Sequence, residues 1–172
     1  ALSWLVSMAP TTGCSVSLEG RNLWIIRSMP VPAQTWLIAK LKLNLQMIVP
    51  VALFDASVLA LGFQVRGIAL AALFLLPILM GTFTALFGLA FNCKVHRFDW
   101  TNEMKVVKQS LGTLFPVLLS IALAMGGGYL AARVSAMDYL LVPVLFVFVL
   151  AAGDVALWLL IRAKAEKWAA AM

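Results

Sequence analysis

Four long apolar runs dominate the chain: Leu43 to Phe63, Ile68 to Phe91, Leu111 to Ala132 and Tyr139 to Ile161. Each approaches or exceeds the roughly 20 residues a helix needs to cross the hydrocarbon of a bilayer. None shows the polar–apolar alternation at about ten-residue spacing that marks a membrane barrel. Backbone inside lipid has to hydrogen-bond to itself, so the runs predict transmembrane helices. The predicted fold is all-α: a polytopic membrane bundle of four transmembrane helices, preceded by an N-terminal cytoplasmic interfacial helix. The chain divides into 1–14, the tail of an upstream span with its connector; 15–42, an amphipathic cytoplasmic segment; 43–161, the four-span domain with a cytoplasmic loop at 92–110; and 162–172, a cytoplasmic tail.

Composition strengthens this picture. Of 172 residues, 63% are hydrophobic and 12% are charged, whereas a soluble domain is about half apolar and about a quarter charged. A water-soluble fold of this composition would expose apolar patches large enough to aggregate. The charge is also one-sided. Arg21, Arg27, Lys40 and Lys42 precede the first span, Lys94, Arg97, Lys105 and Lys108 join the second to the third, and Arg162, Lys164 and Lys167 follow the fourth. The opposite side carries Arg66 and Arg133. Excess Lys and Arg marks cytoplasmic loops, so both chain ends of this inner-membrane bundle are expected in the cytoplasm. Tyr129 and Tyr139 then fall at the outer interface, and Trp36, Trp100 and Trp158 near the inner one. The net charge of +6 reports topology, and nucleic acid is not an expected partner.

The chain begins with an apolar stub, Ala1 to Ala9, too short to span and without a basic flank. It reads as the tail of an earlier span and not as a signal peptide. Cys14 and Cys93 fall on the reducing side, where a disulfide is not expected. His96 has no ligand-spaced partner, so no metal site is expected.

Residues 15–42 are too polar to span and too apolar for a plain linker. Ser15 or Ser17 can cap a helix, with Glu19 favourable in its first turn. Leu18, Ile25 and Met29 share a face, and Glu19 and Arg27 lie on another, which predicts an amphipathic helix along the inner surface. Pro30 and Pro32 end it. A second helix is predicted from near Ala33 through Lys40 and Lys42 into the first span.

The run SLEGRNLWIIRSMPV, with Lys40 eight residues after Pro32, resembles the cytoplasmic motif of type-2 ATP-binding-cassette (ABC) permeases. There a Glu-Gly element precedes an amphipathic helix, a Pro-Val turn and a Lys entering the next span. RFDWTNEMKVVKQS, Arg97 to Ser110, resembles a block in a subgroup of bacterial ABC-exporter permeases common in Firmicutes, with His96 where a Pro is usual. The two motifs cover about a fifth of the chain.

The resemblance implies the C-terminal part of an exporter permease. Glu19 to Met29 would be a coupling helix docking on a cytoplasmic ATPase subunit, with Glu19, Gly20, Arg21, Trp24, Arg27, Pro30 and Lys40 as coupling candidates. Asp99, Trp100, Glu103, Lys108 and Gln109 would form a second docking or gating element. The chain has no G-x-x-x-x-G-K-[ST] loop. It is therefore expected not to be an enzyme and to hold no cofactor, with ATP and Mg on the partner ATPase. A second permease half, a homo- or heterodimer partner, would complete the pathway.

Within the spans, Pro50, Pro77, Pro116 and Pro143 are candidate kinks. Gly81, Ala85 and Gly88 form a small-residue face for close packing, and Gly126 to Gly128 would weaken the third span near its outer end. Any outer hairpin must be built from that span, since Arg133 to Asp138 is short. Two acids, Asp55 and Asp154, lie inside the bilayer, where an unpaired charge costs a few kcal/mol. At about 1.5 Å per residue they stand about 18 and 10 Å from the inner ends of their spans, too far apart to bond each other. They would serve a substrate or proton path, or make a buried contact with Ser57, Gln64 or a further span. The alternative to an ABC permease is thus a proton-coupled secondary transporter using Asp55 and Asp154. An apolar pathway with few fixed charges favours an amphiphilic or hydrophobic cargo.

Overall fold

The computed structural model describes residues 11–28, 30–95, 111–134 and 141–171. They form six α-helices: α1 Thr12–Glu19, α2 Leu23–Ser28, α3 Ala33–Phe63, α4 Ile68–Lys94, α5 Leu111–Val134 and α6 Leu141–Ala171, with a 3-10 turn Gly20–Asn22 between α1 and α2. No strand occurs among the described residues. The four long helices α3 to α6 are each long and apolar enough to cross a membrane, and the chain is a multi-pass helical membrane protein. Their outward faces agree, since Phe54, Leu61, Leu118, Leu145 and Phe148 are among many large apolar side chains turned outward. Lipid is an equivalent solvent for such groups, so outward apolar faces cost nothing there.

The spans begin and end close to where apolar length places them. As expected, the first span is one 31-residue helix from Ala33, continuous through Lys40, Lys42 and Pro50. The departure is at the basic end of the fourth, which runs ten residues past Ile161, to Ala171. That extension has a packing reason: Ile161, Ala165 and Trp168 lie on one face and join the core with Leu37, Leu41, Leu86, Leu89 and Cys93. Helix α4 is the hub, the most buried of the four spans and in contact with α1, α3, α5 and α6. Its phenylalanines at i, i+4 and i+8 (Phe83, Phe87 and Phe91) stack in a row that Phe115 of α5 completes, with centroids 5.1 to 6.2 Å apart. Offset stacking of this kind adds about 1 kcal/mol per pair beyond area burial.

The start of α3 has no side-chain cap of its own because Pro32 precedes it. The carboxylate of Glu166 on α6 supplies one, accepting from the Ala33 N–H at 3.0 Å, and Gln34 donates to the Arg162 carbonyl at 3.0 Å. These bonds place the start of α3 beside the end of α6. The basic ends of all four spans therefore gather on one side of the bundle.

The N-terminal segment corrects the sequence reading. It is not one surface helix from Ser15 to beyond Ile25. The chain breaks at Gly20, whose φ of 43° is open to glycine and strained for other residues. Glu19 consequently ends α1 and does not open a helix. Helix α1 is buried: Thr12, Cys14, Val16 and Ser17 are each at most 4% exposed. The short α2 is the part left outside, with Trp24 67% exposed, and it packs mainly on the turn before it.

Candidate functional site

Helix α1 lies within the bundle, parallel to the last third of α4 and antiparallel to α3. Three contacts with α4 set its register. The Thr12 hydroxyl donates to the Ala85 carbonyl at 2.8 Å, Gly13 sits on Gly88, and Val16 and Ser17 meet Asn92. Ala85 stands about 13 Å of helix rise from Lys94, so α1 starts well inside the bundle and descends toward its basic end.

Two devices hold it. The first is a glycine seat. A Cβ at Gly88 would stand 3.3 Å from the Gly13 backbone, and one at Gly112 would collide with the Gly13 carbonyl oxygen and lie 2.8 Å from the Asn92 amide nitrogen. Three helix backbones thus meet with no side chain between them, which is how small residues let membrane helices approach. Ala85 and Gly88, expected to pack another helix, do pack one, and the helix is α1.

The second device is Asn92, which is fully buried. Its Oδ1 accepts from the N–H groups of Val16 at 2.9 Å and Ser17 at 3.1 Å, and its Nδ2 donates to the Ser17 hydroxyl at 2.9 Å. An amide in an apolar interior is costly unless bonded; here three bonds tie it to α1. A lone Asn near the end of an apolar run is a legible signal of such a partner, though the partner's identity is not.

On its other side α1 meets α3 in a polar ladder. Thr11, Ser15 and Glu19 face Asn44 and Lys40 in antiparallel order. Asn44 Nδ2 donates to the Thr11 hydroxyl; Lys40 Nζ donates to the Ser15 carbonyl at 2.9 Å and forms an ion pair with Glu19. The Lys40 ammonium also stands 5.8 Å from the Trp36 ring centre, within cation–π reach. The spacing of four residues on each helix is what makes the rungs coincide. Beside this ladder lies a groove of about 640 Å³, with Glu19 and Lys40 in its wall.

Of the coupling candidates, Glu19 and Lys40 are therefore brought together, bonded to each other. Gly20 makes the turn, Arg21 is in the 3-10 turn and Arg27 in α2, Trp24 projects outward from α2, and Pro30 is exposed in the link to α3. Met29, the segment 96–110 with Asp99, Trp100, Glu103, Lys108 and Gln109, and the stub at residues 1–9 lie outside the described residues.

The two intramembrane acids are not hydrogen-bonded to each other. Asp154 is buried on α6, 8% exposed, with neither carboxylate oxygen hydrogen-bonded. Asp55 is half-buried on α3. Ser57, a suggested partner, donates instead to the Leu53 carbonyl at 2.7 Å. Gln64 caps α3 in a left-handed conformation and is exposed. A separate apolar cavity of about 190 Å³ lies between α4, α5 and α6, walled by Met80, Gly127, Phe146 and Leu150 among others, and Asp154 does not line it. Gly126 to Gly128 remain helical there, so α5 is unbroken to Val134. Among the described residues no group of His, Cys, Asp and Glu could hold a metal.

Comparison with protein-family models, with curated proteins and with solved structures finds no match for this chain.

Proposed function

We propose that the chain is the membrane-spanning permease portion of an ATP-driven exporter of the type-2 ABC class, in a bacterial plasma membrane with both described ends of the bundle's basic side facing the cytoplasm. The observation that carries this reading is the mounting of α2. An exposed helix bearing Trp24 stands outside the bundle's basic end. Behind it the Gly20 turn leads to α1, locked between three spans; ahead of it Pro30 to Pro32 lead to α3, capped by Glu166. A push on α2 is thereby delivered to α1 and α3 at once, and packed helices respond as rigid bodies. ATP and Mg would reside on a cytoplasmic ATPase, and a second permease half would close the pathway.

The test isolates the protein from its native membrane with the nucleotide-hydrolysing subunit that accompanies it and reconstitutes both in proteoliposomes. Trp24→Ala should lower transport-coupled ATP hydrolysis at least tenfold while leaving thermal stability unchanged. Transport that continues without the ATPase, or with its Walker lysine replaced, refutes the proposal.

A second reading, proton-coupled transport, is favoured by Asp154 alone, a buried carboxyl with no partner. It requires that collapsing the proton gradient, and Asp154→Asn or Asp55→Asn, stop transport.

A further inference from the structure

The groove between α1 and α3 is a site in its own right, and its chemistry does not depend on whether an ATPase drives the protein. At about 640 Å³ it has the size of a small-molecule site. It lies at the level where α3 passes from Lys40 and Lys42 into its apolar stretch, which is where a span meets the headgroup region. From that level inward the α3 side of the wall turns mainly apolar, while Ser15 and Thr11 keep the α1 side polar. Glu19, Lys40 and Asn22 line the basic end, and Leu43 and Met47, both more than 60% exposed, continue along α3 toward the interior. Gln46 stands about 9 Å deeper than Lys40 by helix rise and presents an exposed amide to the same space.

The charges select the occupant. Lys40 and Glu19 are only 15% and 23% exposed and are paired, so the groove carries a fixed dipole and no net charge. A purely anionic or cationic headgroup meets one attraction and one repulsion of similar size there. A headgroup holding both signs gains both attractions when it lies antiparallel to the pair, and the partly buried setting keeps these from being screened away. Only Oε1 of Glu19 is engaged by Lys40, so Oε2 is available to an outside donor. A primary ammonium can donate to it and to the Asn22 amide oxygen; a quaternary one has no proton to give.

We infer that this groove binds one zwitterionic phospholipid with a primary-amine headgroup, its ammonium on Glu19, its phosphate toward Lys40, an ester carbonyl within reach of Gln46 and its chains along Leu43 and Met47.

The test is lipid retention by the purified full-length protein, read by native mass spectrometry after delipidation and titration with phosphatidylethanolamine, phosphatidylcholine or phosphatidylglycerol. One phosphatidylethanolamine per chain should persist at concentrations where the other two do not. Glu19→Gln removes the charge-assisted hydrogen bond and should weaken that binding about tenfold or more. Met47→Trp, at a position 62% exposed and outside the core, fills the groove while leaving every donor and acceptor of the α1–α3 ladder in place and should abolish it with thermal stability unchanged. Equal retention of all three lipids, preference for phosphatidylglycerol, replacement of lipid by a second copy of the chain, or binding indifferent to Met47→Trp overturns the inference.

Discussion

Replacing Asn92 with alanine isolates the clamp on α1. The side chain makes three hydrogen bonds, two to backbone N–H groups and one to the Ser17 hydroxyl, all between 2.9 and 3.1 Å and all buried. Interhelical bonds in membrane proteins average about 0.6 kcal/mol and reach about 1.7 kcal/mol. Three of them sum to roughly 2 kcal/mol at the mean, and the hole left by the amide adds to that. A loss of about 2 to 3 kcal/mol raises the population with α1 undocked by about 30- to 150-fold. Cys14 reports this state directly, since it is 4% exposed and lies on α1. In the purified protein, its alkylation rate should rise by that factor if docking and undocking are fast relative to labelling. Cys93 is an internal control: it is 3% exposed on α4, in a core cluster built mostly from residues of α3, α4 and α6. Mass spectrometry of the two cysteine peptides should show Cys14 reacting well ahead of Cys93. An unchanged Cys14 rate, or both cysteines accelerating together, would refute the clamp.

Three further outcomes are expected. Gly112→Val forces a branched side chain against the Gly13 carbonyl and should lower the melting temperature by several degrees at a cost of about 1–3 kcal/mol; Gly126→Ala, with nothing within 4 Å of the new Cβ, should be neutral or raise it, since alanine favours helix by up to about 1 kcal/mol. Glu166→Ala removes the cap of α3 and should cost about 1 kcal/mol, seen as roughly fivefold faster amide exchange at Ala33 with exchange at mid-span unaltered. A double-mutant cycle of Glu19→Gln and Lys40→Met, read by thermal unfolding in detergent, should return a coupling of about 1 kcal/mol or more because both groups are largely shielded from solvent; a coupling near zero would show that the pair is screened like a surface one.

Asp154 contrasts with these sites. Asn92 and Asp154 are both polar residues set into apolar spans, yet Asn92 has three bonds and Asp154 none. The structure thus separates a polar residue that holds the bundle together from one that does not, a distinction their sequence neighbourhoods, FNC and GDV, do not contain. In hydrocarbon an unpartnered carboxyl is expensive, and this is the reason proton coupling stays attached to Asp154 as the second reading.

The spans were legible because their cause is local. A run of about 20 apolar residues has one stable arrangement in lipid, the helix, whatever surrounds it. The continuous helix from Ala33 into the first span was legible for the same reason, as was the stop imposed by Pro30 and Pro32. Local pattern also placed small residues at Ala85 and Gly88, where close packing was expected. The end of the fourth span was not legible, because the ten residues past Ile161 are held as helix by the core that Ala165 and Trp168 enter, and by Glu166 reaching a helix 133 positions away.

The N-terminal segment shows where pattern gives out. Read alone, residues 15–28 carry apolar positions at helical spacing and charges on another face, which describes a surface helix as well as it describes a buried one followed by an exposed one. The tertiary structure decides between them through contacts that no neighbour in sequence supplies: the glycines of three different helices, the Asn92 amide, and a lysine and a glutamate 21 positions apart. The sequence by itself determined that this chain lives in a membrane, how many described helices can cross it and where its positive charge gathers, because hydrophobicity is a property of each residue. Which polar residues are glue, which face a groove and which stand unpartnered was decided only by packing, because a hydrogen bond belongs to two residues and their separation in space.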